Sequence, residues 1–484
     1  MADSGRVLFA ASEVFPLIKT GGLADVAGSL PAVLREQGVD VRILMPAYGA
    51  VLERLGGAPE VARMQLPGGP VGILETRLPD SEVPVWLLDH PDFSQRGGNP
   101  YHDAQGHPWA DNAQRFLLLS RLAAAVAAGD SPLDWRADVL HCHDWHTGPA
   151  IALARYYAHP PMTVFTIHNL AHLGLFDRAT FDRLHLPQEL WSIHAMEFYG
   201  NFCFMKGGLN YADWVTTVSP TYAHEICSAP GGMGMEGLLS QRRERLVGIL
   251  NGIDTEVWNP ATDAHLAAPY SAASLERKAL NKQRLQEELG LPQRADLPLF
   301  GFVGRLAEQK GVDLLLPLLD ELLATPAQLV VLGTGEARLE QALGELATRH
   351  PQAAALRLAY NEGLAHRIEA GADIFLMPSL FEPCGLNQMY SLRYGTLPLV
   401  RATGGLADTV TDASDANLAA GTATGFVFGT PDSDALRGAA QRALSLWAQP
   451  ERWRAMQATA MAQDFSWERS AAQYLQLYGF AAAD

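Results

Sequence analysis

The sequence has few cysteines, fewer basic than acidic residues, and no apolar run long enough to cross a bilayer. Its four cysteines, Cys142, Cys203, Cys227 and Cys384, lack the spacing of a disulfide scaffold, which favours a reducing, cytoplasmic location. The net charge of −17, from 53 acidic and 36 basic residues, argues against nucleic acid or an anionic membrane as the main partner. The longest apolar stretch, 116–128, is too short for a transmembrane helix, and the N-terminus lacks the pattern of a signal peptide.

The length and the apolar content predict a globular protein with more than one core. A chain of 484 residues exceeds the usual limit of a single core, so we expect two domains. A hydrophobic content of 48% is enough to bury two cores. A neutral polysaccharide is compatible with the acidic balance, whereas an anionic nucleotide would need a local group of Lys or Arg side chains.

Strand-like apolar runs alternate with helical patterns in both halves of the chain. The first half opens with strands at 6–11 and 40–46 around a helix at 23–37, and a second series begins with a strand at 299–303. The turn-rich residues 251–254 predict a domain boundary. This alternation predicts an α/β fold with parallel sheets and a cleft between two domains. Further strands are predicted at 83–88, 138–141, 162–167, 215–218, 329–332, 356–359, 374–377 and 397–400, and further helices at 113–128 and 465–480.

One six-residue phrase occurs once in each half. Thr-Gly-Gly-Leu-Ala-Asp stands at 20–25 and again at 403–408, each time before a helical pattern. A Gly-Gly step allows another molecule to approach the backbone closely, and the amides that open a helix favour an anion. One copy alone is typical of an ordinary strand-to-helix turn. Two copies indicate two similar halves that bind one ligand.

A carboxylate precedes the second copy of this phrase. Glu382 begins the turn Glu-Pro-Cys-Gly-Leu, shortly after the apolar run 374–377. Open α/β sheets bind their ligands at the carboxyl ends of strands, so we expect Glu382 to lie in a functional site. The sequence offers no base that would activate Cys384 as a nucleophile, and this residue is interpreted as packing in the turn.

Basic residues also follow predicted strands. Arg305 and Lys310 come after the strand at 299–303, where they could bind a diphosphate and offset charge on a leaving group. The alternative is a solvated loop, since Lys and Arg are mostly exposed. Lys19 directly precedes the first Gly-Gly step and would add to an anion site there. The Asp-Ser-Asp at 432–434 follows a turn and is interpreted as a helix cap.

Three histidines, His141, His143 and His146, follow the strand predicted at 138–141. They lack the paired spacing of a zinc site, and no second cluster completes one, so no metal is predicted. A buried, hydrogen-bonded histidine is the alternative interpretation at each position.

Together these motifs resemble those of the bacterial glycogen synthases and plant starch synthases, which are retaining glucosyltransferases with two Rossmann-like domains of the GT-B type. The resemblance rests on Lys-Thr-Gly-Gly-Leu-Ala-Asp-Val at 19–26, Glu-Pro-Cys-Gly-Leu at 382–386, Leu-Arg-Tyr-Gly-Thr-Leu-Pro at 392–398 and Thr-Gly-Gly-Leu-Ala-Asp-Thr-Val at 403–410. It extends over essentially the whole chain. It implies transfer of glucose from ADP-glucose to the non-reducing 4-hydroxyl of glycogen or another α-1,4-glucan, without a cofactor or metal.

The resemblance also implies domain bounds and residue roles. An N-terminal domain would comprise 1–252, a donor-binding domain 253–457, and a C-terminal helix within 458–484 would cross back onto the first domain. The implied catalytic residues are Glu382, Arg305, Lys310 and His168. The residues implied to bind the donor are Lys19, Gly21, Gly22, Asn169, Asn251, Cys384, Gly385, Leu386, Thr403, Gly404 and Gly405. The residues implied for the acceptor and sugar region, where an aromatic face can stack on glucose, are Asp25, Tyr101, Asp144, Trp145 and His146.

Three other functions stay open on the sequence. A sugar-nucleotide epimerase could have the same two-domain shape, but it would form no polymer from the donor. A non-catalytic glycan-binding protein would not need both cations and the Glu-Pro-Cys turn. An NAD-dependent dehydrogenase is the weakest alternative, because the G-x-G-x-x-G match at 232–237 has no strand directly before it.

Overall fold

The structure is a computed structural model that describes residues 5–97, 99–103 and 105–480. These residues form two compact units, of which the first comprises 5–252 together with 467–480 and the second comprises 253–466. The chain enters the second unit after Gly252 and leaves it after Ser466. The helix at 450–461 therefore lies wholly in the second unit.

The first unit is built around a large, mostly parallel sheet. Its central strands are buried and largely apolar, as parallel strands covered on both faces require. The strands of this unit are β1 (Arg6–Ala10), β2 (Asp40–Pro46), β3 (Glu60–Leu66), β4 (Gly69–Arg77), β5 (Pro84–Asp89), β6 (Val139–His143), β7 (Met162–Ile167), β8 (Leu175–Phe176), β9 (Glu197–Phe198), β10 (Asn201–Cys203), β11 (Trp214–Thr217) and β12 (Leu246–Gly248). The large sheet has the order β12-β11-β7-β6-β1-β2-β5-β4-β3, and β8, β10 and β9 form a small separate sheet.

The strand order of the large sheet reverses between β1 and β6. The chain builds one half outward from β1 through β2 and β5, and the other outward from β6 through β7, β11 and β12. Ligands of open parallel sheets bind at such a reversal, outside the carboxyl ends of the strands. The helices of this part of the chain are α1 (Gly22–Glu36), α2 (Gly49–Leu55), α3 (Pro91–Ser94), α4 (Asn112–Ala128), α5 (Gly148–Ala154), α6 (Arg178–Arg183), α7 (Phe204–Tyr211), α8 (Pro220–Glu225) and α9 (Glu236–Gln241).

The second unit has a fully parallel sheet. Its strands are β13 (Leu299–Val303), β14 (Gln328–Leu332), β15 (Ala354–Arg357), β16 (Ile374–Met377), β17 (Leu397–Arg401) and β18 (Phe426–Phe428), in the order β15-β14-β13-β16-β17-β18. The core of the unit lies where apolar helix faces cover these strands. The helices are α10 (Lys278–Leu289), α11 (Val312–Leu323), α12 (Ala337–Arg349), α13 (Glu362–Gly371), α14 (Asn387–Arg393), α15 (Gly404–Thr409), α16 (Asp415–Ala420), α17 (Ser433–Trp447) and α18 (Pro450–Met461).

The last helix, α19 (Trp467–Tyr478), packs on the first unit beside α1. The hydroxyl of Tyr478 lies 2.7 Å from His141 Nδ1, and the hydroxyl of Ser470 donates to the carbonyl of Leu250 at 2.5 Å. None of the helices in the described part of the chain is both long and apolar enough to cross a membrane.

Most predicted strands agree with the structure, and 40–46, 162–167, 299–303 and 374–377 agree residue for residue. The interpretation of Asp432 is confirmed, because its carboxylate caps α17 by accepting the amide of Ala435 at 2.8 Å. The antiparallel strands β3 and β4 were not predicted, so the first sheet is mixed at one edge rather than wholly parallel. Residues of β3 are mostly exposed, and an edge strand of this kind lacks a continuous apolar run.

Candidate active site

In the second unit, the strand order reverses between β13 and β16. This is the position where an open parallel sheet binds its ligand, outside the carboxyl ends of the flanking strands. Lys310 lies in the loop after β13, at the end of a short 3₁₀ helix, and Glu382 lies in the loop after β16. The fold thus brings together two residues that are 72 positions apart in the sequence.

Glu382 and Lys310 form an ion pair at this edge. Lys310 Nζ lies 2.6 Å from Glu382 Oε2, and the hydroxyl of Ser379 donates to the same oxygen at 2.9 Å. The side chain of Glu382 is 8% exposed and that of Lys310 is 22% exposed. The carboxylate is therefore fixed by two donors, while part of the ammonium still faces solvent. The alternative interpretation, a fully solvated loop, therefore does not hold for Lys310.

Backbone contacts join the two loops that carry this pair. The amide of Leu380 donates to the carbonyl of Gln309 at 2.8 Å, and the side-chain amide of Gln309 donates to the carbonyl of Phe381 at 3.3 Å. Arg401, at the end of β17, donates to the carbonyls of Ser379 and Leu380. Sequence reasoning missed Gln309, Ser379 and Arg401. Of these, only Arg401 carried a signal, as a charged residue at the end of an apolar strand.

The second Gly-Gly step lies directly against the turn that carries Glu382. Gly404 has a φ of +44°, and a Cβ there would lie 1.9 Å from the carbonyl oxygen of Glu382. A Cβ on Gly405 would lie 2.1 Å from the carbonyl oxygen of Cys384. Both positions therefore require glycine for packing alone. The amide of Gly405 donates to the carbonyls of Glu382 and Pro383, both at 3.2 Å. These bonds attach the loop that carries Glu382 to the N-terminal end of α15.

The remaining predicted residues of this unit lie along the same edge. Arg305 is exposed in the loop after β13, with its guanidinium 3.3 Å from the side-chain oxygen of Gln309. Cys384 is buried in the turn, and Gly385 and Leu386 lead from it into α14. Thr403 is buried and precedes α15 as its N-cap residue.

In the first unit, the first Gly-Gly step differs from the second. A Cβ on Gly22 would meet nothing within 4 Å, and one on Gly21 would lie 3.8 Å from Glu13 Oε1. Packing within the chain therefore does not require glycine at either position, and the space beside this turn is open to another molecule. Lys19 Nζ, just before the turn, lies 2.7 Å from the carboxylate of Asp25.

Glu13, which sequence reasoning missed, holds this turn in place. Its Oε2 accepts hydrogen bonds from the amide of Thr20 at 2.5 Å and from the hydroxyl of Thr20 at 2.7 Å. The residue is only 3% exposed, and burial raises the pKa of its carboxyl to about 7, with a smaller contribution from the nearby charge of Asp25. An acidic residue shortly after the apolar strand β1 was the only available signal.

Asp144 likewise holds a second loop in place, the loop that follows β7 at His168 and Asn169. It follows β6 with a φ of +56°, an uncommon conformation for a residue with a side chain. Its Oδ1 accepts from the amides of His168 at 2.7 Å and Asn169 at 3.3 Å. Burial raises the pKa of this carboxyl to about 7. Glu13 and Asp144 thus lie beyond adjacent strands, β1 and β6, at the reversal of the first sheet.

The histidines of this edge are buried and neutral. His141 is held between the hydroxyls of Tyr478 and Thr166, and His143 Nδ1 lies 2.9 Å from His168 Nε2. Burial lowers the pKa of His141, His143 and His146 well below the usual value, and lowers that of His168 to about 3. Among the described residues, no three His, Cys, Asp or Glu side chains are grouped to hold a metal ion.

The predicted sugar-region aromatics lie beside these histidines. The ring of Tyr101 stacks on His146 at a centroid distance of 4.6 Å, and its hydroxyl lies 2.8 Å from the hydroxyl of Ser12. Trp145 is partly exposed and packs against Phe116. Asn251 lies apart from this group in the chain, buried after β12.

Comparison with known families agrees with this architecture. Residues 6–241 match the family described as starch synthase catalytic domain, and residues 283–458 match glycosyl transferases group 1. The glycogen synthase of Thioalkalivibrio sulfidiphilus is 53% identical over 98% of this chain and 99% of its own. Glycogen synthase 1 of Methylococcus capsulatus is 52% identical over 99% of this chain and 97% of its own.

Solved structures share the fold. The catalytic domain of starch synthase IV from Arabidopsis thaliana, bound to ADP and acarbose, has a TM-score of 0.89 and 31% identity, with 99% of each chain covered. Sucrose-phosphate synthase from Thermosynechococcus elongatus has a TM-score of 0.60 and 17% identity over 98% of each chain, which shows the fold alone. The fold is that of a two-domain α/β glycosyltransferase of the GT-B class. Within that class, the chain belongs to the glycogen and starch synthase family.

Proposed function

We propose that this protein transfers glucose from ADP-glucose to the 4-hydroxyl at the non-reducing end of an α-1,4-glucan such as glycogen, with retention of configuration. The observation that carries the proposal is the Lys310–Glu382 pair at the strand reversal of the second sheet. The glycogen synthase relatives support the glucan acceptor. The starch synthase solved with ADP and acarbose supports an adenine nucleotide donor.

The cations of the second unit would bind the donor diphosphate. An ammonium has three donors, so Lys310 can keep its bond to Glu382 and still donate to a phosphate oxygen. Arg305 is exposed on the neighbouring loop and can donate to a phosphate through more than one N–H. As the bond between glucose C1 and the diphosphate breaks, negative charge grows on the leaving ADP, and these cations stabilise it. The proposed reaction therefore needs no metal ion and no cofactor.

Glu382 would act on the glucose end of the donor. Positive charge develops on the sugar as the C1–oxygen bond breaks, and the carboxylate, which Lys310 and Ser379 hold, would stabilise that charge. In the proposed same-face reaction, the acceptor O4 forms its bond to C1 on the side from which ADP leaves. The proton of that hydroxyl passes to a phosphate oxygen of ADP, so the reaction requires no covalent intermediate on Glu382.

Residues of the first unit would help to bind the donor and the acceptor. Lys19 and the open turn at Gly21 and Gly22 would approach the donor phosphates, since packing leaves that side of the turn free. His168 would hydrogen-bond to the glucose as a neutral imidazole, because burial lowers its pKa to about 3. The residues proposed for the acceptor side are Asp25, Tyr101, Asp144, Trp145 and His146.

The proposed site of action is the cytoplasm. All four cysteines are free thiols in the structure. Free thiols are typical of proteins from a reducing compartment.

Transfer of labelled glucose from ADP-glucose to glycogen tests the proposal. We expect label in α-1,4 linkages, released by an enzyme that cleaves only that linkage, and a far higher kcat/KM for ADP-glucose than for UDP-glucose. An epimerized nucleotide sugar without polymer, or glycogen binding without transfer, would contradict the proposal. Comparable kcat/KM for the two donors would contradict the donor assignment alone.

A further inference from the structure

A tyrosine at the tip of a hairpin in the first unit is unusually exposed. Tyr199 and Gly200 join β9 to β10, and 82% of the surface of Tyr199 is exposed. Both residues have positive φ values, +47° for Tyr199 and +80° for Gly200. A two-residue hairpin of this kind favours Asn-Gly or Asp-Gly, because the first position is then tolerated in the left-handed conformation. A bulky aromatic there is strained, and strain of this kind is a pointer to function.

The surroundings of the hairpin hold it rigidly. The ammonium of the buried Lys206 donates to the carbonyls of Ile193 and Glu197, both at 2.6 Å. The carboxylate of Glu197 in turn accepts the amide of Gly200 at 2.6 Å. Lys206 therefore fixes the loop at Ile193 to the base of the hairpin, and the carboxylate of Glu197 closes the turn. Little conformational freedom would be lost when a ligand binds such a surface.

Two further apolar side chains are exposed near Tyr199. Ile193 is 68% exposed and Met233 is 40% exposed. Gly234, next to Met233, lies against the hairpin, since a Cβ on it would be 3.6 Å from the ring of Tyr199. Tyr199, Ile193 and Met233 are hereafter called the hairpin patch. A stable protein interface buries on the order of 800 Å² on each partner, which three side chains cannot supply.

The small sheet that carries the hairpin packs against the aromatic group at Trp145. Phe204, directly after β10, donates its amide to the carbonyl of Gly174 at 3.0 Å. A Cβ on Gly174 would lie 2.5 Å from the ring of Trp145. The ring of Phe176, in the strand β8 that pairs with β10, is 6.0 Å from that of Trp145. The small sheet thus runs from Trp145 to the hairpin tip.

We propose that the hairpin patch is a binding subsite for a glucose unit of the acceptor glucan, away from its reacting end, with the ring of Tyr199 stacked on the sugar. An exposed aromatic ring offers an apolar face that matches the C–H face of a pyranose, and its hydroxyl can meet the sugar hydroxyls. A patch of this size fits one sugar ring rather than a protein partner. The proposal rests on the proposed function, which supplies the glucan as acceptor.

The test replaces the ring without disturbing the turn. Tyr199→Asn removes the aromatic face and places a residue favoured at this turn position, so the fold should be retained or stabilised. Tyr199→Trp restores an aromatic face. Tyr156→Asn is the matched control, because Tyr156 is another exposed tyrosine of the first unit. Each variant is assayed with ADP-glucose and either glycogen or maltotriose, and its mobility is measured in native gels that contain glycogen but no donor.

For Tyr199→Asn we expect a three- to tenfold rise in KM for glycogen and a matching loss of retardation in the glycogen gel. The KM for ADP-glucose, kcat, and the KM for maltotriose should stay at parental values, since a trisaccharide is too short to reach a remote subsite. Tyr199→Trp should bind glycogen as the parent does, and so should Tyr156→Asn. Unchanged glycogen KM and retardation in Tyr199→Asn would overturn the proposal.

Two other results would be equally decisive against the subsite. If sedimentation shows that the parent self-associates and Tyr199→Asn does not, with glycogen binding intact, the patch is a contact between copies. An equal loss with maltotriose would place Tyr199 at the reacting end.

If the parent itself transfers no glucose but is retarded by glycogen through Tyr199, the subsite stands and the proposed function fails.

Discussion

The ammonium of Lys310 lies 2.6 Å from the carboxylate of Glu382, across the strand reversal of the second sheet. A second lysine–carboxylate pair links the same two strands at their opposite ends. Lys282 lies 2.7 Å from Asp373, which precedes β16 and accepts the amide of Leu299 at the start of β13. The unit thus contains one pair at the edge where open parallel sheets bind their ligands and one at the opposite edge.

Breaking each pair should therefore have different effects. Lys310→Ala should lower kcat by about two to three orders of magnitude, the scale of one preorganised electrostatic group, and it should also lower Tm, because it leaves the buried carboxylate of Glu382 without its partner. Lys282→Ala should lower Tm, because it leaves a largely buried carboxylate without its partner, while kcat per folded molecule is unchanged. Steady-state kinetics and melting curves of both variants check this. Equal kcat in Lys310→Ala and the parent would refute the assignment of Lys310.

The two Gly-Gly steps should respond oppositely to alanine. Gly404→Ala would meet the carbonyl of Glu382, so we expect destabilisation of about 1–3 kcal/mol and loss of transfer. Gly22→Ala has room at the start of α1, so Tm should be unchanged or higher. Its KM for ADP-glucose should rise on the order of tenfold, since the new methyl group blocks the donor from the turn. A parental KM in Gly22→Ala would mean that no ligand approaches there.

Glu13 should make the stability of the protein depend on pH. Its folded pKa of about 7 lies above the ordinary value of about 4.3, so the folded state binds more protons between these values. Stability from this group is therefore complete below about pH 4.3 and is lost as pH rises through about 7. Glu13→Gln stays neutral and should show no such loss, a difference of about 2–3 kcal/mol between pH 4.5 and pH 8.

Urea unfolding of Glu13→Gln and the parent at several pH values measures this difference. The buried histidines give the opposite slope, because burial lowers their pKa, but they are present in both proteins and cancel in the comparison. A difference in the free energy of unfolding that does not vary with pH would show that Glu13 titrates normally.

Transfer should not depend on a metal ion. Arg305 and Lys310 carry the positive charge that the proposed leaving group needs. Activity should survive prolonged dialysis against EDTA at the parental kcat. Loss of activity that is restored by magnesium or manganese would mean that a metal ion, rather than Arg305 and Lys310, neutralises the diphosphate.

The sequence was sufficient to predict the strands that carry the second-unit site, because buried parallel strands such as 299–303 and 374–377 are uninterrupted apolar runs. It was also sufficient to select Glu382 and Lys310, since both are charged residues shortly after such strands. It did not show that the two side chains bind each other, because 72 residues separate them and local patterns do not encode register between loops.

Glu13 was not predicted from the sequence, for a different reason. It belongs to no motif, and its effect on Thr20 arises only when the chain after β1 folds back over it. The repeated Gly-Gly phrase suggested one shared role for both copies. The structure separates them, since Gly404 is required by the Glu382 turn whereas Gly22 faces open space. Identical sequences do not distinguish a turn that packs against the chain from a turn that faces open space.

Glu382→Gln shows whether Glu382 acts on the glucose as the bond between the glucose and ADP breaks. The substitution keeps the size of the side chain and removes its charge, which should matter more in the transition state than in the ground state. The measurement is kcat for transfer to glycogen, with calorimetric ADP binding and a melting curve on the same preparation. We expect kcat to fall at least about a hundredfold while ADP affinity and Tm change little. A near-parental kcat would remove Glu382 from the chemistry, and loss of ADP binding or of folding would make it a structural residue.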